Sequence, residues 1–180
     1  HLTLYEAIDQ VRQAGAQVLE IHSGQALSPN DRDAVVSDAM TEEQTAALRR
    51  KISSSSAKLV AARVRFSANQ SANKRLFEWA DHLGIQVLVG DPPDEQFDHL
   101  ERMVREFNIS VALVTGPRTG SGRGAWTDPK AIMGVLRGRD PRFQVVLNVL
   151  NLVRAGVEPF QALAELRTRV VGVQVCDLSD

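Results

Sequence analysis

Two carboxylates stand at positions where acid-base chemistry is commonly placed. Glu20 closes the apolar run Gln17 to Ile21, at the end of a predicted strand, and Asp91 precedes Pro92-Pro93. A strand-end glutamate can equally pair with a neighbouring arginine, and an aspartate before proline also makes a good turn. The loop Arg118-Thr119-Gly120-Ser121-Gly122-Arg123-Gly124 sets three alternating glycines between two arginines. Its backbone amides and guanidinium groups suit a phosphate or carboxylate. A dinucleotide fingerprint would need a helix to start inside the glycine run, and here the helix waits until Pro129, so a flexible loop is the simpler reading. Trp126, between loop and helix, offers an aromatic stacking surface or simply packs against its neighbours. His22, His82 and His99 have no partner at metal-ligand spacing, and His82 and His99 are expected to be solvated on helices.

These residues need a frame, and the apolar pattern supplies one by alternating helical spacing with short Val-, Ile- and Leu-rich runs. Thr3 to Ala14 reads as a helix with a Thr3/Glu6 capping box, Leu4, Ile8 and Val11 on one face and Gly15 as its stop. The strand Gln17 to Ile21 follows, then a polar, irregular stretch from His22 to Met40. Thr41 with Gln44 opens a helix through about Ile52, and Ser53 to Ser56 is a linker. Lys58 to Phe66, Ile85 to Val89, Ser110 to Val114, Phe143 to Val149 and Val170 to Val175 are the remaining strands. Helices are predicted over Asn73 to Leu83, Glu95 to Phe107, Pro129 to about Arg137 and Pro159 to Leu166, the last two capped by Asp128 and Glu158. Six strands separated by helices, each nearly continuous in apolarity, predict a parallel α/β fold with both sheet faces covered. A doubly wound sheet and a barrel both fit that pattern.

Bulk composition narrows the function classes. The 180 residues are 43% hydrophobic and 24% charged, ordinary for one globular domain, so disorder and collagen-like structure are excluded. The 21 basic and 22 acidic residues are mixed along the chain, giving a net charge of -1 and no field to attract nucleic acid or an anionic membrane. The single cysteine, Cys176, lies in an apolar run where a buried, inert thiol is expected. No apolar run approaches the roughly 20 residues needed to cross a bilayer, so a soluble domain is expected, with its compartment open. The first residue is His1 rather than methionine, as in a processed, trimmed or excised chain.

Three stretches resemble the sugar phosphate isomerase/epimerase family, within the xylose isomerase-like TIM barrels. They are Ala14-Gly15-Ala16-Gln17-Val18-Leu19-Glu20; Phe77 to Pro93, with His82-Leu83-Gly84-Ile85 and Asp91-Pro92-Pro93; and Ile109 to Asp177. The third includes Gly116-Pro117, Asp128-Pro129, Leu136 to Arg142 and Arg154 to Pro159. The resemblance spans nearly the whole chain and implies a TIM barrel. It also implies a divalent metal such as Mn or Mg at the C-terminal mouth, held by carboxylates and histidine, and proton transfer between adjacent sugar carbons.

The chain departs from the family at the expected ligands. The family's histidine-asparagine-histidine run before Gly-Pro is Leu113-Val114-Thr115, and its aspartate-x-glycine-histidine run is Asn148-Val149-Leu150-Asn151. The last-strand histidine is Gln174, with Cys176 in a usual lysine position. Neutral amides make weak sites for hard cations, so no cofactor is expected. Asn148, Asn151 and Gln174, with Arg118, Arg123 and Trp126, become candidate sugar-binding residues or a polar network holding the mouth together. The resemblance further implies eight strands, against six here. The first and eighth strands are apparently missing, which leaves a gap expected to be covered by a partner chain, by sequence outside this one, or by an irregular element.

The expected function is a sugar phosphate isomerase/epimerase-like domain without metal-dependent activity, serving as a carbohydrate-binding or structural module for a sugar or sugar phosphate. One alternative is an active isomerase or epimerase using Glu20 and Asp91 as acid and base. Another is a segment of a larger or oligomeric assembly. Neither nucleic acid nor a membrane is an expected partner.

Overall fold

The computed structural model describes residues 2–55, 57–117 and 125–175. Six parallel strands alternate with helices: β1 (Val18–His22), β4 (Lys58–Arg63), β5 (Val87–Val89), β6 (Ser110–Val114), β9 (Phe143–Asn148) and β10 (Val170–Gln174). Their order across the sheet, β1-β4-β5-β6-β9-β10, follows their order along the chain. A doubly wound sheet reverses direction at a switch point. The monotonic order therefore decides between the two architectures: this is an incomplete TIM-barrel-like fold.

The chain divides into two compact units. The described residues of 1–64 and 74–88 make the first. Here α1 (Leu4–Gln13) starts at a reciprocal cap: Thr3 N–H donates to Glu6 Oε2 at 2.8 Å, and Thr3 Oγ1 accepts from Glu6 N–H at 3.4 Å. The same device, Thr41 with Gln44, starts α2 (Glu42–Ser53). Satisfying the otherwise orphaned first-turn N–H groups fixes both helix starts. Leu4, Ile8, Ile21, Leu48, Ala62, Phe77 and Leu88 are fully buried and form this unit's core.

The stretch 22–40, expected to be irregular, holds a small antiparallel hairpin of β2 (Ala26–Ser28) and β3 (Asp31–Val35). Only Leu27 and Val36 anchor it by burial, too few apolar positions to show a period of two.

The described residues of 65–73 and 89–175 make the second unit. Its core is Leu100, Val104, Val111, Leu113, Ile132, Leu136, Phe143, Val145, Leu152, Ala162 and Leu166, all at 0% exposure. The helices α4 (Phe97–Phe107), α5 (Pro129–Leu136) and α7 (Pro159–Leu166) fall close to their expected spans. A buried amide pair holds the start of α3 (Gln70–Leu83): Asn73 Nδ2 donates to Ser67 O and to Gln96 Oε1.

His99, expected to be solvated, is 8% exposed. The helical period places it on the face of α4 that also buries Gln96 and Met103, three residues before and four after it.

At the N-terminal end of β9, Asp140 accepts from Arg105 Nε at 3.0 Å and from Arg142 N and Nη1 at 3.0 and 3.1 Å. Burial alone would raise its pKa, but these donors outweigh it and hold the carboxyl below the usual aspartate range. Arg169 donates to four carbonyls, those of Leu136, Arg139, Asp140 and Phe143, at 2.8 to 3.1 Å. One planar guanidinium thus closes the end of α5 and fixes the approach to β9.

Two departures matter for the site. The apolar run 149–153, expected to begin with the last residue of a strand, is a short helix, α6 (Val149–Arg154). And no residue of β10 is buried: Val170, Gly172 and Gln174 are half-buried, and Val171 and Val173 are 43% and 53% exposed. Among the described residues no helix is long and apolar enough to cross a membrane.

Candidate functional site

Glu20 lies in the middle of β1, where a register irregularity between Leu19 and Glu20 sets it opposite Ala61 of β4. Its Oε1 accepts from Arg63 Nε at 3.3 Å and lies 3.9 Å from His22 Nε2. Arg63 is the last residue of β4, and both side chains are about 30% exposed. Glu20 is thus paired with an arginine from the neighbouring strand, the alternative raised by its sequence position.

The other candidates belong to the second unit. Asp91, just past β5, accepts from the indole N–H of Trp126 at 2.9 Å. Trp126 sits in a two-stranded hairpin of β7 (Gly116–Pro117) and β8 (Ala125–Trp126) and is 5% exposed. The ring is enclosed, so what it contributes is a directed donor to a carboxylate; an exposed stacking platform is not what this geometry presents. Both residues have further partners.

Asn148, Asn151 and Gln174 come together around Thr115. Thr115 follows β6 and is fully buried; its Oγ1 accepts from Asn148 N–H at 2.7 Å. Asn148, the last residue of β9, also caps α6: its Oδ1 accepts from Asn151 N–H at 2.9 Å. That bond favours a helix for the largely apolar run after Asn148, because it satisfies a first-turn N–H that would otherwise have no partner within the helix.

Asn148 Nδ2 in turn donates to Gln174 Oε1 at 3.2 Å, and the parallel β9/β10 register places the two residues side by side. Asn151 Nδ2 donates to the carbonyl of Thr115 at 3.0 Å. This close approach requires Gly116. At its φ of +140°, a Cβ would lie 2.3 Å from Asn151 Nδ2 and 2.8 Å from Asn151 Cγ, well inside contact distance.

Sequence reasoning picked out the three amides but not Thr115 as their anchor, Gly116 as the clearance for Asn151, or Arg63 as the partner of Glu20. The dipeptide Gly116-Pro117 was the one local signal for the clearance. Arg118 and Arg123 fall outside the described residues, as does Cys176.

The divalent metal implied by the resemblance fits this donor set poorly. In the first unit Glu20 is engaged by Arg63; in the second, Asp91 is engaged by Trp126, and the groups of the amide cluster are uncharged amides and a hydroxyl already bonded to one another. Among the described residues no three His, Cys, Asp or Glu side chains group at a spacing that could hold a metal ion. What the cluster can do is hydrogen-bond neutral or anionic oxygen groups.

No protein-family model and no curated protein matches the chain. Solved structures do. An uncharacterized protein from Parabacteroides distasonis ATCC 8503 superposes with a TM-score of 0.82 at 22% identity, over 99% of this chain and 71% of that one. A sugar phosphate isomerase/epimerase from the same organism gives 0.69 at 13%, over 94% and 68%. The 3-keto-D-glucoside 4-epimerase of E. coli gives 0.71 at 11%, over 98% and 75%. At these identities the likeness establishes the fold alone, an incomplete TIM-barrel-like α/β architecture.

Proposed function

We propose that the chain is a sugar isomerase/epimerase-like domain that acts without metal-dependent isomerisation, as a carbohydrate-binding or structural module. The observation that carries this reading is the interlocked set Thr115, Asn148, Asn151 and Gln174. Moving a proton between sugar carbons requires an electrophile to polarise the carbonyl and a base within reach. The cluster offers neither a charged ligand nor a titratable side chain. Its unused amide hydrogens and oxygens are suited instead to sugar hydroxyls, which accept from the former and donate to the latter.

The alternative of Glu20 and Asp91 as an acid-base pair draws less support, because each carboxylate already accepts a hydrogen bond from a fixed donor. Calorimetry with Mn, Mg, Co and Zn, combined with a ketose-aldose turnover assay, tests the proposal. Silence in both arms is expected. Micromolar binding of any of these ions coupled to turnover contradicts it.

A second reading, a role within a larger or oligomeric assembly, is favoured by one observation. Val171 and Val173 of β10 are 43% and 53% exposed, Val175 just past it is 79% exposed, and Phe160 on α7 is 79% exposed. Among the described residues β10 is also the last strand in the sheet order, and an edge strand bearing exposed apolar side chains invites pairing. Light scattering of the intact protein is expected to show self-association under this reading, and a well-behaved monomer counts against it.

A further inference from the structure

Two helix faces in the first unit repeat one spacing. Glu42, Thr45, Ala46 and Arg49 on α2, and Arg75, Glu78, Trp79 and His82 on α3, stand at i, i+3, i+4 and i+7, which puts each set on a single face. Both sets, with Asp38 and Met40 from the connection before α2, line one cavity of about 590 Å³. That volume lies within the range of roughly 300–1,000 Å³ usual for ligand clefts.

The helices cross between neighbouring parallel strands, α2 from β1 to β4 and α3 from β4 to β5, so they run parallel to one another. Asp38, just before α2, has Oδ2 at 3.9 Å from Arg75 Nε. The start of α2 is therefore level with Arg75, and Arg49 with His82, each seven residues further along its helix.

The cavity accordingly has two unlike ends. At the first, Arg75 offsets Asp38, and Lys74 approaches Glu78 at 4.0 Å, which leaves Glu42 with no ion pair among the described residues. At the second stands Arg49, also without a partner among the described residues, beside His82. By the helical rise the two unpaired charges are about 10 Å apart along α2. Between them lie Ala46 and Trp79. Trp79 is 5% exposed, and its buried indole N–H has no acceptor among the described residues.

We propose that this cleft binds a short peptide, about three residues long and free at both ends, with its ammonium at Glu42 and its carboxylate at Arg49. Three extended residues span about 10 Å. Such a peptide combines opposite charges at that spacing with an apolar middle side chain for Ala46 and Trp79. Its carbonyls also provide the acceptor that a buried N–H ordinarily has, reached by a small turn of the indole toward the cavity. The cleft shares no residue with the amide cluster, so this proposal is independent of the carbohydrate reading.

The test uses the full 15N-labelled chain. It has two tryptophans, so the signal lost in Trp79→Phe, or retained in Trp126→Phe, is the Trp79 indole N–H. L-alanyl-L-leucyl-L-alanine is titrated by NMR and calorimetry, alongside its N-acetylated, C-amidated and doubly blocked forms. The free peptide is expected to shift the Trp79 indole signal, and each blocked end to weaken binding by roughly threefold, the scale of a partly exposed charge pair.

Two variants assign the ends. Glu42→Gln should weaken the free peptide by a similar factor and leave the N-acetylated form unchanged; Arg49→Gln should weaken the free peptide and leave the C-amidated form unchanged. A merely structural effect of either substitution would weaken all forms alike and overturn the assignment. Equal binding of the free and doubly blocked peptides overturns the proposal, as does an indole signal that no peptide moves.

Discussion

Replacing Gly116 by alanine should break the cluster at one identifiable point. The new Cβ would sit 2.3 Å from Asn151 Nδ2, 2.8 Å from Cγ and 3.0 Å from Cβ, so a rotation at the far end of the side chain cannot relieve the overlap. Asn151 must withdraw and give up its 3.0 Å bond to the Thr115 carbonyl, a loss of about 1 kcal/mol. The φ of +140° adds backbone strain of about 1–3 kcal/mol for a residue with a side chain. A stiffer unfolded chain offsets roughly 0.5–1 kcal/mol of this. The net expectation is a destabilisation of about 2 kcal/mol, or a melting temperature lower by roughly 4–8 °C for a chain of this size.

Urea denaturation followed by tryptophan fluorescence reads this loss. A double-mutant cycle with Asn151→Ala isolates the contact: removing Nδ2 and Cγ relieves most of the overlap but none of the backbone strain, so the double variant should cost about 1 kcal/mol less than the two singles added. Gly116→Ala within about 0.5 kcal/mol of wild type, or strictly additive costs, would refute the geometry.

Other perturbations probe the neighbouring contacts. Trp126→Phe deletes the donor to Asp91 while keeping the buried ring, and should destabilise by about 1–3 kcal/mol in the same urea assay; an unchanged midpoint would mean the bond contributes nothing. Asn148→Ala removes the cap of α6 and should cost about 0.5–2 kcal/mol, whereas Asn148→Asp, which keeps an accepting oxygen at the helix start, should recover most of that; equal losses in both would contradict the capping role. Because the folded-state pKa of Asp140 is depressed, its contribution is complete above the unfolded value of about 3.9 and drains away as pH falls through the folded value. Stability measured against pH below about 4 should therefore fall less steeply in Asp140→Asn than in wild type, and parallel curves would show that Asp140 is not a source of the acid loss.

The parts of the fold that were legible in the sequence are those specified by neighbouring residues. Thr3 with Glu6, Thr41 with Gln44, Asp128 before Pro129 and Glu158 before Pro159 each carry a complete helix start within four residues, and the structure shows every one of these caps. The strands β6 and β9 are buried along nearly their whole length, as continuous apolar runs imply. The run 149–153 misled because Val149, Leu150, Leu152 and Val153 suit a strand, and the deciding event is a single side-chain bond from Asn148. The hairpin 26–35 has too few buried positions to leave a period.

At the site, the three amides were marked by what they replace in a family pattern, while their partners depend on register between strands distant in sequence. Gln174 meets Asn148, and Arg63 meets Glu20, only because β10 lies beside β9 and β4 beside β1. The same long-range dependence hides the enclosure of Trp126. Nothing local to that residue distinguishes a ring open for stacking from one that donates to Asp91 across 35 positions.

The proposal on which the functional reading depends is that uncharged, mutually bonded amides stand where the resemblance implies metal ligands. Crystals grown in millimolar MnCl₂ and measured for anomalous scattering would address it at atomic positions. The account predicts no manganese peak within about 2.0–2.6 Å of Asn148, Asn151, Gln174, Asp91 or Glu20. A fully occupied peak coordinated by these side chains at such distances would contradict it.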